Sequence, residues 1–116
     1  MHDTLKSFKF ASQGIKDALS SEPNLRIHIT FSILTILMAI YFEFKYIEFA
    51  ILIATISSVI TLELVNTVVE KLVDLNSTEI SEKARVIKDI SAGFVFISSI
   101  AAIIIGLFLF IPKLPF

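Results

Sequence analysis

Apolar residues dominate the chain from about Ile27 to Phe42, from Phe49 to Leu62 and from Ile90 to Ile111, with short polar stretches between. The third stretch holds no charged residue and is long enough to cross a bilayer unaided. The first is interrupted early by His28. It and the second have uncharged cores shorter than the ~20 residues that a straight span needs. Arg26, Tyr41, Tyr46 and Glu48 are the expected interfacial ends of these two. Upstream, Leu5, Phe8, Ser12, Ile15 and Leu19 recur on one side of a helical wheel, with Lys6, Lys9, Lys16 and Asp17 largely opposite. Such a helix lies in the membrane interface or packs as a short soluble helix on the protein itself. The pattern predicts an all-α membrane protein in one domain, residues 1–116. Its surface helix covers about 4–20, and its spans cover about 24–43, 47–75 and 88–111.

Helix punctuation agrees with those bounds. Ser20-Ser21-Glu22-Pro23-Asn24 breaks and restarts the helix, and Pro23 suits a first turn because its missing N–H costs nothing there. Asn76-Ser77-Thr78 ends the second span, Ser81 can cap the next helix, and Pro112 and Pro115 close the chain. In the last span Ser98, Ala102 and Gly106 recur at i+4, a pattern that lets helix backbones approach closely within or between protomers.

Composition strengthens the membrane assignment: 55% of residues are hydrophobic and the mean hydropathy is +0.84. A net charge of -1 implies no nucleic-acid partner, and the absence of Cys removes disulfides and thiolate metal sites. Lys6, Lys9, Lys16 and Arg26 precede the first span, and Lys71, Lys83, Arg85 and Lys88 lie between the second and third. The other two loops carry only Lys45 and Lys113, so the N-terminus and the long second loop are expected on the cytoplasmic side. No cleaved signal peptide is expected, because the first apolar run starts late and no small-residue cleavage site follows it.

The second span runs straight into Glu63-Leu-Val-Asn66-Thr-Val-Val-Glu70-Lys-Leu-Val-Asp74. Spacings of 3, 4 and 4 place Glu63, Asn66, Glu70 and Asp74 within roughly an 80° arc of one helix face. Leu64, Val65, Val68, Val69, Leu72 and Val73 take the other face. Ionisable groups that continue a span are costly and commonly mark a pathway or a reaction site. Three acids and a carboxamide form an oxygen-rich surface suited to a hard cation such as Mg2+, and not to zinc. Lys88-Asp89, just before the third span, adds a cation for phosphates. Carboxylates, a lysine and a divalent metal suggest phosphoryl transfer. There is no GxxxxGK[ST] and no GxGxxG, so a nucleotide site would lie outside those designs. Other readings stay open on the residues alone. The acids could be a solvated helix continuation with Glu70 paired to a lysine, or could line a small proton or cation pathway in a non-enzymatic oligomer. Glu22 could simply favour a helix N-terminus. His28 could ligate a metal or relay protons, but a lone interfacial His is more often a passive hydrogen-bonding residue, and the eleven Phe read as lipid-facing bulk and interface anchors.

Glu63–Asp74 resembles the E-x-x-N-[ST]-x-x-E-x-x-V-D signature of the small bacterial integral-membrane lipid kinases, the prokaryotic diacylglycerol kinase family, which includes undecaprenol kinases. The basic amphipathic N-terminus, Glu22, Lys88-Asp89 and Ser91-Ala92-Gly93 follow in the family's order, so the resemblance covers essentially the whole chain. It implies a homotrimer of three-span protomers in the bacterial inner membrane, with active sites shared between protomers. It implies ATP- and Mg2+-dependent phosphorylation of diacylglycerol or undecaprenol. By the same likeness Glu63 is the general base, and Glu22 and Glu70 are the metal ligands. Asn66 and Asp74 orient that cluster, while Lys88, Asp89 and, more weakly matched, Glu79 meet the nucleotide. Val68 and Phe94 depart from the family by being bulkier than the residues usual there, which bears on helix packing and the lipid groove.

Overall fold

The computed structural model describes residues 3–76 and 81–115. Four α-helices follow in order: α1 Thr4–Ser21, α2 Pro23–Tyr41, α3 Tyr46–Asn76 and α4 Glu82–Phe110, with a 3-10 turn at Ile111–Lys113. Among the described residues there is no strand. Three helical segments, Pro23–Tyr41, Tyr46–Asn76 and Glu82–Lys113, are long and apolar enough to cross a membrane. At ~1.5 Å per residue, α3 is about 46 Å long and outreaches a hydrocarbon core of ~30 Å. Its surplus carries Glu70 and Asp74 beyond the apolar layer.

Side-chain distribution is inverted relative to a water-soluble bundle. Phe31, Ile97, Ile103 and Phe108 are exposed, whereas Glu63, Asn66, Thr67 and Ser91 are buried. In water that arrangement would forfeit most hydrophobic stabilisation; in lipid it puts polar groups where other protein atoms can satisfy them. Three longer spans with a polar interior therefore make this a membrane protein.

The corner between α1 and α2 is built from three residues. Pro23 supplies no N–H, so α1 cannot run on, and the Glu22 amide closes α1 by donating to the Ala18 carbonyl at 2.9 Å. Arg26, one turn into α2, donates from Nη1 to the Leu19 and Ser20 carbonyls at 2.6 and 3.2 Å. A cation thus satisfies carbonyls that the end of α1 leaves open. Leu25 is buried beneath the corner. Leu5, Phe8 and Ile15 are exposed, so α1 does not bury its apolar face in the protein; that face is free for the bilayer surface.

At the opposite end, α2 turns into α3 through Phe42–Lys45. Glu43 takes the left-handed conformation, with φ 55°, and the Phe44 amide reaches back to the Ala39 carbonyl at 3.1 Å. This drives Phe44 inward, where it packs with Ala39, Leu52 and Leu109, flanked by Phe49 and Phe110. The phenylalanines are not all lipid-facing bulk: Phe44 anchors the core. Lys113 pairs with Glu48 at 2.9 Å and lies over the Phe44 ring, tying the end of α4 to the start of α3. Ser98, Ala102 and Gly106 do not form a close seam within the protomer. Ala102 and Gly106 border an open cavity, and a Cβ added at Gly106 would meet nothing within 4 Å. Val68 and Phe94 are exposed, so their extra bulk lies on the surface of the protomer.

Candidate active site

The polar stripe of α3 runs from interior to solvent. Glu63 is 3% exposed, Asn66 and Thr67 are buried, Glu70 is half-buried and Asp74 is exposed. Thr67 donates its hydroxyl to the Glu63 carbonyl at 3.0 Å, so it serves the helix backbone and offers no free donor to the site.

Asn66 links the two acids. Its Nδ2 donates to Glu70 Oε1 at 3.3 Å, and its Oδ1 is buried without a partner. A buried carbonyl oxygen of this kind calls for a donor or a cation. Glu22 sits at the α1–α2 corner; its side chain makes no capping hydrogen bond, so its carboxylate is left over from helix formation. The charges of Glu70 and Glu22 both reach Glu63. Asn66 and Glu70 are thus in contact one to two turns beyond the buried Glu63, and Glu22 stands at the neighbouring α1–α2 corner.

The donor set fits Mg2+. Among the described residues no three His, Cys, Asp or Glu side chains stand close enough to cage an ion by themselves. Mg2+ does not ask for that: it takes one or two carboxylates and fills its other positions with water and phosphate oxygens. Glu22, Glu70 and the unpartnered Asn66 Oδ1 are hard oxygens of the right kind.

Further along, Lys88 Nζ meets Asp74 Oδ1 at 2.7 Å and joins α4 to the end of α3. Asp89 is instead held by Arg85 Nη1 at 2.5 Å, and Arg85 also pairs with Glu82. The structure thus joins Asn66 to Glu70 beside the buried Glu63, with Glu22 at the adjoining corner but in no side-chain contact with them, and joins Asp74 to Lys88. It ties Asp89 to the surface of α4. Glu79 lies outside the described residues.

Two groups gain weight that the sequence did not give them. His28 Nε2, on α2, lies 3.8 Å from Glu63 Oε2. The one legible signal was an imidazole interrupting an apolar run. Ser91, on α4 just below Lys88, is 2% exposed, with its Oγ unpartnered. The family resemblance carried it only as part of Ser91-Ala92-Gly93, with no role of its own.

Comparisons with known proteins converge. The family model for prokaryotic diacylglycerol kinase matches residues 9–110. The chain is 34% identical over 109 residues to an undecaprenol kinase of Bacillus subtilis, covering 94% of this chain and 89% of that one. It is 37% identical over 111 residues to a diacylglycerol kinase of Synechocystis, covering 95% of this chain but only 63% of the longer relative. A diacylglycerol kinase of Haemophilus influenzae is 32% identical over 94 residues, 81% of this chain and 80% of the relative.

Proposed function

The chain belongs to the prokaryotic diacylglycerol kinase family and is a lipid kinase, and on that premise we propose that it transfers the γ-phosphoryl group of ATP to the hydroxyl of diacylglycerol or undecaprenol at the cytoplasmic membrane surface. The observation that carries this reading is the burial of Glu63 in a span, at the head of a carboxylate cluster that opens toward solvent. A lipid hydroxyl arrives at that depth; a nucleotide arrives from the water side.

Glu63 is the general base. It accepts the hydroxyl proton as the lipid oxygen bonds to the γ-phosphorus and the bond to the departing ADP breaks. Glu22 and Glu70, with Asn66 Oδ1 beside them, would hold Mg2+, which when bound neutralises charge on the ATP phosphates. Asn66 sets the Glu70 carboxylate through their hydrogen bond. Lys88 offers a cation to phosphate oxygens in exchange for Asp74, and Asp89 and Glu79 complete the nucleotide side. The protomer works as a homotrimer in the inner membrane, with its N-terminus cytoplasmic and its sites shared between protomers. A pore lining is not favoured, because the relatives are kinases.

The test is transfer of label from γ-labelled ATP, with and without Mg2+, to diacylglycerol and undecaprenol presented side by side in mixed micelles. Labelling of either lipid supports the reading. Purified, folded protein that labels neither overturns it.

A further inference from the structure

The imidazole of His28 stands at a junction that the proposed chemistry leaves unused. On one side, Nε2 is 3.8 Å from the buried Glu63 Oε2. On the other, His28 borders a cavity of about 580 Å3 between α2, α3 and α4. Of the four hydroxyls in that lining, those of Ser32, Thr35 and Thr55 each donate to a carbonyl one turn back in their own helix, at 2.7 Å, and the fourth belongs to Ser99 on α4. The remaining wall is dominated by aliphatic and aromatic side chains. A space so lined suits an alkyl chain better than water, which needs two or more polar partners. His28 is therefore the polar group that connects the apolar space to the reacting carboxylate.

The distance is informative. At 3.8 Å the His28–Glu63 contact is too long for a direct hydrogen bond. A hydroxyl oxygen placed about 2.8 Å from both atoms closes a triangle on that 3.8 Å edge. Such an oxygen accepts from an Nε2–H and donates its own proton to Glu63 Oε2. Donation from Nε2 also suits a nitrogen that faces a carboxylate.

We propose that His28 positions the acceptor: its Nε2–H donates to the oxygen of the lipid hydroxyl, aiming the O–H at Glu63 and the oxygen lone pair at the γ-phosphorus. His28 keeps its proton throughout. The hydroxyl proton passes to Glu63, the new O–P bond forms on the lipid oxygen, and the old O–P bond leaves with ADP. This rests on Glu63 as the base. It adds a residue that acts on the acceptor and leaves the nucleotide alone.

The experiment compares His28→Leu and His28→Gln with wild type, measuring kcat and KM for the lipid acceptor and for Mg-ATP separately. Leu removes the donor; Gln keeps an N–H near the position of Nε2. The expected result is a fall of about tenfold to a hundredfold in acceptor kcat/KM for the Leu variant, an unchanged KM for ATP, and recovery of most activity by Gln. A Leu variant with wild-type acceptor kinetics overturns the role. So does a Gln variant as impaired as Leu, or a defect that appears equally in KM for ATP, since a purely structural residue would give either. Failure of the kinase reading is separate, because there the wild-type protein itself labels no lipid.

Discussion

Replacing Glu63 by Gln tests the base most directly, because the structure makes the substitution nearly silent except in charge. The side chain is 3% exposed and packed, and Gln fills the same volume. A carboxylate buried in a span carries a desolvation cost that a neutral amide does not, so removing the Glu63 charge relieves that cost and leaves packing intact. Folding stability should therefore hold or rise. Activity should not. A positioned general base contributes about a hundredfold to ten-thousandfold, roughly 3–5 kcal/mol of transition-state stabilisation. Gln cannot accept the hydroxyl proton, so kcat should fall by that factor with little change in KM for Mg-ATP. The assay is initial-rate label transfer to diacylglycerol or undecaprenol, with thermal unfolding in the same detergent as the stability control. A folded Gln variant that keeps kcat within about tenfold of wild type would refute the assignment of Glu63 as base.

Four further outcomes follow from the geometry. Glu22→Gln and Glu70→Gln should each raise the Mg2+ concentration needed for half-maximal activity, whereas Asp17→Asn, on exposed α1, should not; Mg2+ titration at fixed ATP checks this. Lys88→Ala breaks a solvent-exposed pair with Asp74 that water screens, so thermal stability should barely move while KM for ATP rises. Glu43→Gly should stabilise by about 0.5–1 kcal/mol, since a glycine adopts the left-handed φ of 55° without the Cβ penalty; thermal unfolding reads it, and activity should be unchanged. Phe44→Ala should cost about 3–5 kcal/mol by emptying the aromatic core at the far end, measured by the loss of thermal stability with kinetic constants intact below the transition.

Much of this was legible in the chain. Long apolar runs declare spans because lipid removes water as a hydrogen-bond partner, and the Pro23 and Ser81 signals fell at helix starts, with Ser81 Oγ accepting from the Ala84 amide at 3.0 Å. The stripe from Glu63 to Asp74 was legible because one helix carries all of it, and helical spacing alone fixes which side chains share a face. What spacing could not supply was anything between helices. Arg26 as the cap of a different helix, His28 opposite Glu63 and Phe44 turned inward all depend on how segments distant in sequence meet. Ser98, Ala102 and Gly106 show the converse: small residues permit close approach but do not compel it.

The register of α2 against α3 explains why the cluster forms at all. The two helices run antiparallel from the Phe42–Lys45 turn, with Ala39 and Leu52 in one core cluster near that turn and His28 facing Glu63 farther along. Carried onward in the same register, the helix pair brings Glu22 to the level of Glu70. Glu22 to His28 is about 9 Å along α2, and Glu63 to Glu70 about 10 Å along α3, so the two spacings match. Each helix thus holds one group at the lipid level and one at the solvent level, with Asn66 hydrogen-bonded to the outer acid between them. The match works only if α2 begins at a fixed residue: one residue more or less would swing Glu22 by about 100° off the shared face. Pro23 and the Arg26 cap enforce that start. The corner at the beginning of the first span accordingly sets where Glu22 stands, although neither residue needs to touch a substrate.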